Sequence, residues 1–70
     1  FNSLFIHRSD YLDRNAILDL FNSNGSLIKK INFEKNQDHI EIDVSNFTQS
    51  MYYFLFNDGL NIKSGKFLKL

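Results

Sequence analysis

The stretch His-Ile-Glu-Ile-Asp-Val at residues 39–44 decides the fold class. Its apolar residues occupy every second position, and polar or charged residues stand between them. Side chains of a β-strand alternate between its two faces, so this pattern is typical of a strand with one buried and one solvated face. Helices instead place apolar residues three or four positions apart. The stretch therefore predicts a half-buried strand of an antiparallel sheet.

The dipeptide Asn24-Gly25 predicts a first hairpin. It lies between an alternating segment, residues 15–21, and an irregular apolar segment, residues 26–33. Asn-Gly is suited to a type I′ turn, in which both central residues have positive φ. Two lysines interrupt the second segment, which predicts a bulge or an edge position for that strand.

A second hairpin is predicted around Asp58-Gly59, between the continuous apolar run at residues 51–56 and a return strand at residues 60–70. A further strand is expected at residues 3–7. Six or seven short strands with turns between them predict an all-β fold, a small antiparallel β-sandwich. The residues expected in its core are Leu4, Ile6, Leu18, Leu20, Ile40, Ile42, Val44, Tyr52, Phe54 and Phe56.

Composition excludes several functional classes. Seventy residues form one small domain, and eight basic and eight acidic side chains cancel, so no basic patch indicates nucleic-acid binding. The chain has no cysteine, which excludes disulfides and thiolate zinc sites. No apolar run approaches the roughly 18 residues of a transmembrane helix. The start at Phe1, without features of a signal peptide, suggests an excerpt of a longer protein.

The candidate catalytic residues are few. Asp10 and Asp13 share a loop, where carboxylates usually stabilise turns, and two carboxylates fall short of the six or so oxygens that calcium needs. His7 and His39 are the only imidazoles, and His39 is expected to point into solvent beside Glu41. We therefore expect no catalytic, cofactor-binding or metal-binding residue.

The apolar run at residues 51–56 would direct Met51, Tyr53 and Leu55 away from the core if Tyr52 points inward. A solvated sheet face normally carries polar residues at such positions. Two explanations remain open. Neighbouring side chains of a central strand cover this face, or it is an exposed apolar patch that meets a partner.

Four segments in sequence order resemble a known family. They are residues 17–22 running into Asn24-Gly25, residues 42–47 with Asp43-Val44-Ser45, residues 50–54 with Ser50-Met51-Tyr52, and residues 66–69, Lys66-Phe67-Leu68-Lys69. Together they resemble the type A C-terminal sorting domain of the type IX secretion system of Bacteroidetes, over about residues 3–70.

Two features depart from the family pattern. The family opens with a Pro-Asn-Pro segment, and this chain has no proline, so its first residues are expected to be missing and one sheet edge to be frayed or completed by a partner. Ser50 stands where the family has glycine. If its backbone is left-handed, serine costs about 1 kcal/mol there, and Ser50→Gly is expected to stabilise the fold.

The resemblance implies an immunoglobulin-like sandwich and a role in export. Residues 1–70 would be a single C-terminal sorting domain of a larger cargo protein, without catalytic activity. The type IX outer-membrane translocon and its shuttle barrel would recognise it after passage through the periplasm. The cargo would become secreted or attached to the cell surface, with possible cleavage by a sortase-like peptidase. Neither nucleic acid nor direct membrane insertion is implied.

The expected partner-binding residues lie on two strands. Lys66, Phe67 and Lys69 match the end of the family signal, with Phe67 as an apolar contact and the lysines as charge partners; Leu68, Tyr53 and Leu55 complete the set. Because residues three apart on a strand face opposite sides, at least one of Lys63, Lys66 and Lys69 must point toward the core or rim. Edge protection by lysine is the alternative explanation.

A different function also fits the composition. The chain could be an adhesive or carbohydrate-binding β-sandwich, in which Tyr11, Tyr52 and Tyr53 form an aromatic platform. An export signal must end its parent protein, whereas a binding module can occur anywhere in one.

Overall fold

The computed structural model describes residues 2–8 and 13–70, which form six β-strands and no helix. The strands are β1 (Ser3–His7), β2 (Ala16–Phe21), β3 (Leu27–Phe33), β4 (His39–Asp43), β5 (Ser50–Asn57) and β6 (Ile62–Lys69). All their pairings are antiparallel. The predicted all-β antiparallel fold is confirmed.

The strands form two sheets, one of four strands in the order β3-β2-β5-β6 and one of two strands, β1-β4. This order matches strands C′, C, F and G of one sheet and strands B and E of the other in an immunoglobulin sandwich. The described residues contain no counterpart of strands A and D. Both strands of the small sheet therefore have one edge that no described strand covers.

The core lies between the two sheets. Leu18, Leu20 and Val44 are fully buried, and the neighbouring strands contribute Ile42 and Phe33. All ten predicted core residues are either buried or packed against this cluster. Alternation along the strands therefore identified the core, although Phe33 was not among the residues it selected.

The first hairpin has a different turn from the predicted one. The amide of Gly25 donates to the carbonyl of Asn22 (2.9 Å), and Gly25 has φ +83°. Asn24 has no positive φ, so the expectation of a type I′ turn is wrong. The Asn22 side chain explains the difference, because its Oδ1 accepts the amides of Asn24 and Ser26, both at 3.0 Å. A single left-handed glycine then completes the turn.

The third strand has both features that its lysines predicted. β3 lies at the edge of the four-stranded sheet. Its pairing with β2 shifts between Leu20 and Phe21, which pair with Lys29 and Leu27, so one extra residue of β3 is accommodated there. An edge strand with a bulge and exposed lysines is a poor template for pairing with other chains.

A tyrosine corner connects the two sheets at the start of β5. The hydroxyl of Tyr52 donates to the backbone carbonyl of Thr48 (2.8 Å) and lies 3.1 Å from the Thr48 hydroxyl. Its ring lies between those of Phe47 and Phe67, with centroid distances of 5.0 and 5.4 Å. In immunoglobulin sandwiches a tyrosine near the start of strand F makes the same backward hydrogen bond. The tyrosine of the Ser50-Met51-Tyr52 segment therefore has a structural role.

The backbone at Ser50 differs from the expectation. Asn36 is the only non-glycine residue with a positive φ among residues 2–8 and 13–70, so Ser50 has an ordinary negative φ. It begins β5 and pairs with Lys69. The proposed left-handed conformation is wrong, because a residue in a regular strand pair is extended. Ser50→Gly would relieve no strain and would add freedom only to the unfolded chain.

Gly65 has a packing role that the sequence did not indicate. It pairs with Phe54, and the Phe54 ring lies directly over it. A Cβ at Gly65 would meet the ring carbons Cζ and Cε2, the second at 2.6 Å. An aromatic ring across from a strand glycine covers backbone that would otherwise be exposed.

Arg8 connects the end of β1 to the loop between β3 and β4. It is buried, and its guanidinium donates to the carbonyls of Glu34 and Gln37, both at 2.8 Å. The same group lies 5.3 Å from the centre of the Phe33 ring. These charge-assisted bonds and the contact with the aromatic face reduce the cost of burying the cation, whose Nη1 has no hydrogen-bond partner among the described residues.

We expect Tyr52→Phe to lower the free energy of unfolding by about 1 kcal/mol, the usual contribution of one intramolecular hydrogen bond. Thermal or urea unfolding measures the difference. Tyr53→Phe is the matched control, because Tyr53 is exposed on the same strand and its hydroxyl has no hydrogen bond to residues 2–8 and 13–70. Equal effects of the two changes would contradict the tyrosine corner.

We expect Gly65→Ala to lower the free energy of unfolding by about 1–3 kcal/mol, the usual range for overpacking, because the Phe54 ring must move. Combining it with Phe54→Leu should show a coupling energy of at least about 0.5 kcal/mol, since the two residues are in contact. Additive effects of the two changes in urea unfolding would contradict this packing.

Candidate docking surface

The C-terminal strand directs its side chains to both sides of the sheet. Lys66 and Leu68 point outward, while Phe67 and Lys69 lie on the core side. Phe67 stacks on Tyr52 with an interplanar angle of 19°, and Lys69 is only 6% exposed. The prediction that at least one of the three lysines points inward is confirmed. By register Lys63 and Lys69 share the core side of β6, and of the two Lys69 is buried whereas Lys63 is exposed.

This placement changes how the terminal lysines can be tested. Replacing Lys66 and Lys69 together would leave stability nearly unchanged only if both side chains were exposed, because exposed charges contribute little to stability. Lys69 is buried and has an interaction partner, so removing it would disturb the fold. Replacing Lys66 alone tests the role of an exposed terminal lysine without removing a buried one. β6 is an edge strand, so edge protection by its lysines also remains compatible with the structure.

The outward positions of β5 are apolar and continuous with those of neighbouring strands. Tyr53 pairs with Phe21 on one side and Lys66 on the other, and Tyr53 is 43% exposed. We call the surface formed by the outward side chains of β2, β3, β5 and β6 the outer sheet face. Its apolar members are Ile17, Phe21, Leu27, Met51, Tyr53, Leu55, Ile62 and Leu68. Of the two explanations for the apolar run, an exposed patch applies at Tyr53, whereas Met51 and Leu55 are half-buried, as covering by neighbouring side chains predicts.

Three charged side chains lie on the outer sheet face. Lys30 Nζ contacts Asp19 Oδ1 at 2.9 Å, so these two charges neutralise each other within the sheet. Lys66 is exposed and has no ion pair among residues 2–8 and 13–70. Within the described part of the chain, the face therefore has one positive charge without an ion pair, beside the exposed ring of Tyr53.

The outer face of the two-stranded sheet has a different character. His7 and His39 lie opposite each other, with ring centroids 5.9 Å apart, and Phe5 is 56% exposed. The hydrogen bond between His39 Nδ1 and Asp38 Oδ1 (2.9 Å) holds the pKa of Asp38 below its ordinary value. His39 is exposed, as predicted. No cluster of three or more metal-ligating side chains occurs in the part of the chain described here.

The carboxylates of the motif segments stabilise turns. Asp43 Oδ1 accepts the amide of Ser45 at 2.9 Å, and hydrogen bonds from the Ser45 side chain and backbone hold the pKa of Asp43 below its ordinary value. In the second hairpin, Asp58 Oδ1 accepts the amides of Asn61 (2.6 Å) and Leu60 (3.0 Å). These bonds likewise lower the pKa of Asp58. Gly59 supplies the positive φ of this turn, +94°.

Tyr52 and Tyr53 do not form the shared aromatic platform that carbohydrate binding was expected to use. Tyr52 points into the core, and Tyr53 lies on the outer sheet face. Neighbouring residues of a strand face opposite sides, so the two rings cannot share one surface. Tyr11 and Asp10 lie outside the described residues. Asp13 is exposed.

The fold and its surfaces define a small immunoglobulin-like domain with an exposed apolar sheet face, a feature of proteins that contact other proteins. The family of secretion-system C-terminal sorting domains matches residues 2–69, and the chain belongs to this family. The family comprises sorting signals of type IX secretion and is not an enzyme family. No curated protein and no solved structure gave a significant match. The described residues include no helix that could cross a membrane.

We expect acid to destabilise the domain partly through Asp58. Its pKa is lower in the folded state, so its carboxylate contributes stability above the ordinary value of about 3.9. That contribution is lost as the pH falls through the folded pKa. Asp58→Asn keeps an acceptor oxygen and should therefore reduce the drop in melting temperature between pH 5 and pH 2.5. Glu41→Gln removes the same charge from an exposed strand position and is the control. An unchanged drop in Asp58→Asn would contradict this role.

Proposed function

We propose that the type IX outer-membrane translocon and its shuttle barrel recognise this domain at the C-terminus of a larger cargo protein. The observation that carries the proposal is the match of nearly the whole chain to the family of sorting domains. Type IX sorting signals direct proteins to the cell surface or out of the cell. On this proposal, the cargo passes through the periplasm before the translocon engages its sorting domain.

The domain acts by binding. Its described side chains supply a rigid sandwich core, turns stabilised by carboxylates, and an exposed apolar sheet face. A preformed surface of this kind binds without the cost of ordering a flexible segment. A sortase-like peptidase at the cell surface then removes the domain, or the cargo is released with the domain attached.

The residues proposed to contact the machinery lie on β5 and β6. Lys66 and Leu68 are exposed, and Tyr53 and Leu55 lie beside them on the same face. Phe67 and Lys69, the other members of the terminal motif, face the core side. We propose that these two contribute to recognition by holding β6 in place. Lys66 and Leu68 then make the direct contacts.

Export of a reporter protein tests the proposed function. A periplasmic reporter fused to residues 1–70 should appear at the cell surface or in the medium of a strain with an active type IX system. The same fusion should stay in the periplasm of a strain that lacks the translocon, and the reporter without the domain should stay there in both. Export that does not depend on the translocon would overturn the proposal.

A further inference from the structure

The outer sheet face has the composition of a contact surface. Ile17, Leu27, Tyr53, Ile62 and Leu68 are each between 41% and 66% exposed, although all belong to regular strands. The opposite face of the same sheet packs against β1 and β4, whereas no described element packs on this one. Contiguous apolar surface of this kind on a small domain usually marks an interaction site.

One row of outward side chains holds both aromatic residues of the face and crosses it at the end where the β2–β3 hairpin turns. Phe21, Tyr53 and Lys66 lie side by side on three adjacent strands, and Leu27 continues the row on the fourth. Aromatic residues in the centre of an interface, surrounded by aliphatic ones, contribute most of the binding energy in many complexes. A cation next to the ring of Tyr53 adds selectivity for charge.

The charges determine what can bind there. Asp19 is the only acidic side chain among the outward positions of the four strands, and Lys30 already neutralises it. The same face of a second copy would offer no free side-chain carboxylate to Lys66. The face is therefore not self-complementary, as a two-fold symmetric dimer would require. A single lysine is also far from the basic cluster with which proteins bind anionic lipid.

We propose that the outer sheet face docks on an apolar surface of the type IX outer-membrane machinery that presents a carboxylate to Lys66. This inference rests on the proposed function and adds to it the face, the orientation and the chemistry of the partner. The strands meet the partner with their side chains. Their edges remain outside the contact, and the histidine-bearing face of β1 and β4 points away from it.

Export of the full reporter fusion distinguishes this face from the rest of the surface. Tyr53→Thr combined with Leu68→Thr removes two exposed apolar contacts and keeps residues that suit strands. We expect export to fall at least about tenfold, which corresponds to roughly 1.4 kcal/mol of binding free energy. Phe5→Thr is the matched control, an equally exposed residue on the other sheet, and should leave export unchanged. Resistance to limited proteolysis must remain as in the wild-type fusion.

The charge is tested separately at one position. Lys66→Glu should reduce export about as strongly as the double change, because it reverses the charge. Lys66→Arg should retain export, because it keeps the positive charge.

If the wild-type fusion is exported through the translocon and the folded double variant is exported equally well, the inference is wrong and the proposed function stands. Loss of export in folded Phe5→Thr would also overturn it. So would a dimer of the fusion that Tyr53→Thr dissociates. If the wild-type fusion is not exported, the result would count against the proposed function.

Discussion

The orientation of Tyr52 determines much of the rest of the domain. Its ring packs between Phe47 and Phe67, and its hydroxyl fixes the backbone at Thr48. One side chain thereby connects the β4–β5 loop, the central strand β5 and the edge strand β6. Because side chains alternate along a strand, an inward Tyr52 forces Tyr53 outward. The same strand orientation therefore buries Tyr52 in the core and exposes Tyr53 on the outer sheet face.

The sequence could predict those parts of the fold that depend on local patterns. Alternation along single strands predicted the core residues, and the dipeptide Asp58-Gly59 predicted the second hairpin turn. Both patterns lie within a few consecutive residues. Contacts between distant segments could not be predicted in this way. The ring of Phe54 over Gly65, the carbonyls bound by Arg8 and the burial of Lys69 all depend on which strands pair and in which register. Register is a tertiary property, set by the whole sheet.

The candidate docking surface likewise combines residues that local patterns could predict with residues that depend on strand pairing. Tyr53 and Leu55 were expected to face outward from their positions in β5 alone. The participation of Phe21 and Leu27 depends on the pairing of β2 with β5 and on the bulge in β3. The family motif identified the terminal segment 66–69 as important, but a motif does not distinguish residues that contact a partner from residues that hold the strand. Phe67 and Lys69 lie on the core side, and only the structure could separate them from Lys66 and Leu68.

The two-stranded sheet has a consequence for the order of folding. The pairs β2–β3 and β5–β6 join neighbouring segments of the chain, so they close short loops. β1 instead pairs with β4, with two strands of the other sheet between them in sequence. Closing a longer loop costs more entropy, and contacts between distant segments form slowly. We therefore expect each hairpin to form faster than the small sheet, and during emergence of the chain β1 has no strand to pair with until β4 is available.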